Sequence, residues 1–214
     1  MSKDEVIDVL NEQMECIGTA TREEIHRLGL WHQTFHCWVV RYGPQQVPEM
    51  LFQLRASDKE SYPGLLDTSC AGHLLTGETP ADGVRELEEE LGLHFVFQDL
   101  LPCGTVKMES QMSESYIDRE FYHVFLVHSE QELMEYTFQQ SEVAGLYWVQ
   151  VEDFRQLLSR EKTEVEATGI LLNEENHSIE PHQRSCTIAD FTPNTEQYYH
   201  LVFEAIKREG NPSI

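Results

Sequence analysis

Apolar and polar positions change period several times along the chain, and the changes mark its elements. The run "EVIDVLNEQMECIGTA" has short alternating apolar stretches and predicts an N-terminal strand and turn. In "TREEIHRLGL" a short helix is expected: Thr21 can cap it, Glu23 and Glu24 fall in its first turn, and Gly29 ends it. "TFHCWVVRYG" is aromatic and β-branched up to Gly43-Pro44, so it reads as a strand and turn, with "EMLFQLRAS" as its paired strand. "DKESYPGLLDTSCAG" is loop-like, with a turn at Pro63-Gly64. A helix is then punctuated at both ends. Thr79 is placed as N-cap, Pro80 suits the first helical position, Asp82 favours the first turn, and Gly92 follows Leu91 as C-cap. "LHFVFQDLLPCGTVKM" and "REFYHVFLVHS" read as strands, "AGLYWVQVEDFRQLLSR" as a strand running into a helix, and "NTEQYYHLVFEAIKRE" as an amphipathic C-terminal helix. Strands and helices mix without regular alternation. This predicts an α+β chain, built as an α/β/α sandwich with a mixed sheet, over a doubly wound sheet.

Composition narrows the class. The 214 residues are 40% apolar, enough for one sizeable core. There is no run of eighteen apolar residues, and "MSKDEVIDVL" lacks the apolar region of a secretory signal. The five cysteines are scattered and form no C-x-x-C pair, so a reduced, cytoplasmic setting is expected, away from any membrane. Fifteen basic residues against 38 acidic give a net charge of -23, which excludes binding a nucleic-acid polymer through a basic face. A small phosphorylated substrate stays open, because bound divalent cations reverse the local sign. A homodimer is compatible with the sequence, which does not fix the oligomeric state.

The acidic excess is concentrated in "GHLLTGETPADGVRELEEELGL", Gly72 to Leu93. Glu86 and Glu90 are four apart and Glu86 and Glu89 three apart, so the three share one helix face, while Val84, Leu87 and Leu91 can anchor the opposite one. Like charges at this spacing cost only a few tenths of a kcal/mol. The pattern alone therefore admits a solvated acidic face or a metal site, and oxygen-only ligands would suit Mg²⁺ or Mn²⁺.

This stretch resembles the Nudix box, G-x5-E-x7-R-E-U-x-E-E-x-G-U with U a bulky aliphatic residue, the signature of hydrolases of nucleoside diphosphates linked to another moiety. Arg85 to Leu93 fills the second half without a mismatch, and Gly72 and Glu78 fit the first half. Six residues separate Glu78 from Arg85 where the pattern has seven. Either the loop is one residue shorter, or Ala71 and Gly77 take the first Gly and Glu positions. The resemblance implies a mixed sheet between helices, with Glu86, Glu89 and Glu90 as ligands of Mg²⁺ or Mn²⁺. It also implies Arg85 as the clasp of the array and Gly72 as a backbone carbonyl ligand.

The chain from "HRLGLWHQTFHCWVV" through "LFQLRASDKESYPGLLD" to "SCAGHLLTGE" resembles a narrower group, the isopentenyl-diphosphate isomerase branch of the superfamily. That branch holds one metal with histidines and glutamates, and a cysteine directly before the Gly-His pair transfers a proton at carbon. His32 and His73 match metal-binding histidines; His26 matches less well, its separation from His32 being one residue short. Asp118 and Glu120 fall near an E-x-E pair, on one face of a strand by alternation. The residue before Gly72-His73 is Ala71, with Cys70 one position early, and on a strand one residue reverses the face. Read from composition alone, His26 is a surface or partner-bonded histidine, His32 a core-edge one, Cys70 a small buried hydrophobe, and Glu142 a surface carboxylate or a base.

The expectation that results is a metal-dependent Nudix hydrolase. It cleaves a diphosphate anhydride with Glu86, Glu89, Glu90, Arg85 and Glu120 catalytic. Glu86, Glu89, Glu90, Gly72 and Glu120 hold the metal, and His32, His73, Arg55 and Lys59 face the substrate. Residues 1–160 form the domain and 161–214 a helical extension packed on it. An isomerase and a non-catalytic binding module are the competing readings.

Overall fold

A computed structural model describes residues 5–113, 116–173 and 175–210. The first strands, β1 (Val6–Leu10) and β2 (Cys16–Thr21), form an antiparallel hairpin. Helix α1 (Arg22–Leu28) follows at once. Thr21 and Glu24 cap each other reciprocally, and Gly29 closes the helix in the left-handed region. Strand β3 (Trp31–Tyr42) is the spine of the sheet. Its two faces are both buried, Phe35, Cys37 and Val39 on one and Trp38 and Val40 on the other, as expected of a covered central strand.

Strand β4 (Pro48–Arg55) meets β3 only at Val40–Tyr42 and then splays away to pair with β9 (Val143–Gln150). The short strands β5 (Leu66–Asp67) and β6 (Cys70–His73) fill the gap, β5 on β4 and β6 on β3. Along its other edge β3 runs parallel to β8 (Tyr116–His128), which pairs in turn with β7 (Leu101–Ser113). The sheet continues beyond β9 through β10 (Val165–Leu172) and β11 (Ile179–Cys186).

Two cores sandwich this sheet. On one face Trp38, Phe52 and Tyr147 pack against α3 (Val151–Leu158) and α4 (Glu196–Gly210) through Phe154, Tyr198, Val202 and Ile206. On the other, Phe35, Cys70 and Trp148 pack against Leu87 and Leu91 of α2 (Arg85–Leu91). The α/β/α sandwich with a mixed sheet is thus present.

Four local expectations need correction. Helix α2 starts at Arg85, because Thr79 and Asp82 lock a separate tight turn, Asp82–Val84, through the Thr79 N–H and hydroxyl. "LHFVFQDLL" is a turn around Phe97–Asp99 before β7 begins. Among the described residues of segment 161–214 the one α-helix is α4, since β10 and β11 precede it. "DKESYPGLLDTSCAG" is loop only up to Leu65, since β5 and the start of β6 lie in it, whereas the expected pairing of "EMLFQLRAS" with β3 is present at Val40–Tyr42 beside its longer pairing with β9.

Candidate functional site

The splay of β3 and β4 opens a cleft floored by β6. On β6, parity decides what enters it. Cys70 pairs opposite Cys37 and turns into the α2 core, whereas Ala71 pairs opposite His36 and lines the cleft. Burial and the nearby Glu90 and Glu86 carboxylates push the Cys70 thiol well above its ordinary value, so it is no thiolate.

Glycine at position 72 brings α2 onto the strand. A methyl group there would overlap the Glu86 carboxyl. Arg85 clasps the array: it donates to Glu78 at 3.1 Å through two nitrogens, to Glu86 at 2.5 Å, to Glu89 at 3.1 Å and to the His73 carbonyl at 3.2 Å. Of the two alignments of the box, this geometry fits the shorter loop, with Gly72 and Glu78 in the box positions. Glu90 accepts the Ala71 N–H at 3.1 Å and the Gln53 amide at 3.4 Å. Leu87 and Leu91 are fully buried beneath the array, with Val84 half-buried beside them. Glu86 and Glu90 are buried and Glu89 is open to solvent. The array is therefore not a uniformly solvated face.

Desolvation, with the Glu90 charge second, pushes Glu86 up to about 8; desolvation likewise raises Glu90 to about 7. Both carboxyls bind their proton more tightly folded than unfolded. Their contribution to stability is full below the unfolded value near about 4.3 and is lost as pH rises through about 7 and 8. His26, lowered to about 4 by burial, works oppositely, adding stability as pH rises from about 4 through about 6.5 and little beyond. Metal-free wild type is therefore expected to lose melting temperature between about pH 6.5 and 8.5, and Glu86→Gln to lose less. Equal slopes for the two proteins would count against the buried charge.

A second cluster lies beside the first. His26 comes from α1, His32 from β3, His73 from β6, and Asp118 and Glu120 from β8. The ligating atoms of the three histidines lie within 4.8 Å of one another, as do those of His32, Asp118 and Glu120. His32 Nε2 is 3.3 Å from Glu120 and 3.9 Å from Asp118, His26 Nε2 3.6 Å from Asp118, and His73 Nε2 3.7 Å from Glu120. His26 and His32 turn Nδ1 to the carbonyls of Arg22 and Leu30, at 2.8 and 3.0 Å. That fixes the proton on Nδ1 and leaves each Nε2 lone pair aimed at the cluster. His32 Nε2, both nitrogens of His73 and Asp118 Oδ1 are buried with no hydrogen-bond partner among the described residues. Unpaired buried polar atoms are costly, and a cation at their centre would satisfy them. The residues thus fit a divalent ion: mixed nitrogen and oxygen donors here, oxygen donors on α2. Burial opposes charge at Glu120, but the surrounding His32, His73 and His36 rings hold it well below the carboxylate range; burial and the Glu120 charge raise Asp118 to about 8.

The expected site residues divide between two adjoining spaces. Gly72, His73, Glu90 and Glu120 line the main cleft with Arg55 and Lys59. Glu86, Glu89 and Arg85 line the neighbouring groove, which His73, Glu90 and Glu142 share. His32 does not reach the cleft surface; it is fully buried behind Glu120. Arg55 is held by Asp67 at 2.8 Å, and Lys59 by Glu142. His26 is buried with the other two histidines, under the stacked Tyr116 ring, and is not a surface residue. Sequence reasoning missed Arg22, which lines the cleft one helical turn before His26; its i, i+4 spacing was the available signal. It also missed His36.

Comparisons with known proteins bear on the family and the fold. A family model described as NUDIX domain matches residues 31–171. The chain is similar to an uncharacterized Nudix hydrolase of Clostridium acetobutylicum, 35% identical over 95% of this chain and 98% of that one. It is also similar to an isopentenyl-diphosphate Δ-isomerase of Dinoroseobacter shibae, 32% identical over 64% of this chain and 74% of that one. Among solved structures, one from Deinococcus radiodurans superposes with a TM-score of 0.56 at 20% identity, covering 74% of this chain and 91% of that one.

Proposed function

The chain belongs to the Nudix family and is a hydrolase of that kind, and from this premise we propose that it cleaves the anhydride of a small, hydrophilic diphosphate with Mg²⁺ or Mn²⁺. The observation that carries this reading is the adjacency of the carboxylate array, in one groove, to a cleft lined by Glu90, His73, Glu120 and three cations, Arg22, Arg55 and Lys59, the two spaces sharing His73 and Glu90. Cations beside an acidic, metal-fitting wall suit a ligand that carries phosphates and brings metal with it. Among the described residues no Leu, Ile, Val, Met or Phe side chain lines the main cleft. The group attached to the diphosphate is therefore polar, such as a sugar or nucleoside, rather than a prenyl chain.

Glu86, Glu89 and Glu90, with the histidine cluster beside them, would hold a divalent ion, which would supply Lewis acidity toward water and charge neutralisation toward phosphate oxygens. The chain supplies the rest. Arg22, Arg55 and Lys59 hold the diphosphate, and Arg85 fixes the glutamates. A glutamate, Glu89 on the open side of the array or Glu120, accepts the proton of the attacking water. Water oxygen bonds to phosphorus as the bridging oxygen–phosphorus bond breaks, and the leaving phosphate departs as its anion.

Among the described residues no helix is long and apolar enough to cross a membrane. Release of phosphate or of a phosphomonoester from a panel of nucleotide sugars, dinucleotides and prenyl diphosphates, with Mg²⁺ and with Mn²⁺, tests the reading. Hydrolysis of a polar diphosphate is expected, with no proton exchange into isopentenyl diphosphate. Cys70→Ala should change turnover by less than about threefold, under about 0.7 kcal/mol of barrier. Exchange into isopentenyl diphosphate without hydrolysis of any panel member would replace this reading with the isomerase one.

A further inference from the structure

One buried histidine on the cleft wall belongs to neither cluster. His36 alternates with His32 and Thr34 on the cleft face of β3 and is nearly fully buried. Its ring stacks on Tyr122 with centroids 4.0 Å apart. Its Nδ1 lies 3.1 Å from the hydroxyl of Tyr198, 162 residues later on α4. The same hydroxyl lies 3.0 Å from Trp38 Nε1 and 2.9 Å from Thr68 Oγ1, and Tyr198 is fully buried. Helix α4 stands outside the span matched by the family model, which ends at residue 171.

Counting protons assigns the tautomer. Trp38 has only a donor, so the Tyr198 oxygen accepts from it. Thr68 Oγ1 has no other hydrogen-bond partner among the described residues, so its proton is satisfied only by donation to Tyr198. The tyrosine has then accepted twice, and its own proton goes to the remaining neighbour, His36 Nδ1. A neutral imidazole that accepts at Nδ1 carries its proton on Nε2. With Nδ1 turned toward α4, the Nε2 edge faces the cleft that His36 lines. Burial keeps the ring below its ordinary pKa and hence uncharged.

The geometry points to His36 Nε2–H as a substrate contact, a fixed neutral donor to a phosphate oxygen, with Tyr198 of α4 as its positioning residue. The inference rests on the hydrolase reading, since it needs an anion in the cleft. A neutral donor suits this place: it binds an oxygen without adding a fourth fixed cation beside the metal-fitting cluster. Helix α4, packed as a core helix, thereby reaches the reacting group through one hydroxyl.

The test compares two replacements of His36 that keep opposite ends of the ring. Asparagine can keep the bond to Tyr198 but cannot reach the Nε2 position; glutamine can reach it. The probe is inorganic pyrophosphate, titrated by calorimetry into the full-length protein with Mg²⁺ present. Wild type should bind it, His36→Asn about tenfold more weakly, a loss of about 1.4 kcal/mol, and His36→Gln close to wild type. The melting temperature should follow the opposite order, Asn above Gln, because only asparagine satisfies the buried tyrosine. Tyr198→Phe should weaken pyrophosphate binding in wild type and leave the His36→Asn value unchanged. If His36→Asn binds as wild type while wild type binds well, His36 is a structural residue and the inference fails alone. If wild type does not bind pyrophosphate at all, the inference falls together with the hydrolase reading.

Discussion

Turnover by the Glu90→Gln protein is expected to fall about 100-fold or more, at least the loss seen when groups around a metal are altered. The fold should survive. Glutamine keeps the length and helix propensity of glutamate, and its carbonyl can still accept the Ala71 N–H. What disappears is a charge that a hard cation needs. The same substitution removes a buried carboxyl that is disfavoured when ionised, raised to about 7 by desolvation. Metal-free Glu90→Gln should therefore melt no lower than wild type at pH 8, and should gain less from added Mg²⁺ or Mn²⁺. Glu89→Gln should show the same loss of turnover and metal affinity with less effect on metal-free stability, since Glu89 is exposed. Calorimetric titration of Mg²⁺ and Mn²⁺ with parallel thermal melts makes the measurement. Undiminished metal affinity in both variants would remove the carboxylate metal site from the reading.

Gly72→Ala is expected to be comparably damaging. The added methyl would occupy the space of the Glu86 carboxyl, which is buried and held by Arg85. Relief requires moving either β6, pinned between Phe35 and its neighbours, or the carboxyl itself. Moving the carboxyl breaks the array, so about 100-fold in turnover and a matching loss of metal affinity are expected, as for removal of a ligand. Gly77→Ala is the control. Gly77 has a φ of +80° with open space around it, so alanine there costs about 1 kcal/mol of backbone strain and leaves the array in place. Wild-type turnover in Gly72→Ala, or equal damage from both substitutions, would show that the close approach at Gly72 has no role in the chemistry.

Much of this arrangement is written in local patterns. The i, i+3, i+4 glutamates, the reciprocal cap at Thr21 and Glu24 and the two-residue spacing of Asp118 and Glu120 depend only on helix and strand periods. What was not legible depends on distant neighbours. The segments "VEATGILL" and "IEPHQRSC" become strands by pairing with β9 and with each other, and the second, mostly polar and exposed, carries little apolar signal. Thr79, Pro80 and Asp82 are sound capping residues, yet they close a separate tight turn and the α-helix starts three residues later. His26 looked ordinary because its burial comes from Tyr116 and the other two histidines. The bond between His36 and Tyr198 spans 162 residues, beyond any local period.

The tight packing around Gly72 also limits how this site can change by insertion or deletion. Moving β6 by one residue would bring Cys70 onto the cleft face, as isomerase chemistry requires. It would also take the glycine away from Glu86 and turn the His73 ring out of its cluster. The His73 carbonyl that anchors Arg85 would move as well. An indel here therefore forfeits both metal-fitting clusters to gain one thiol, whereas the single replacement Ala71→Cys gains it and leaves the frame in place. The packing at Gly72 thus tolerates a point change at Ala71 better than a change of length, so loop-length variation is expected to accumulate elsewhere, as at the Pro63-Gly64 turn.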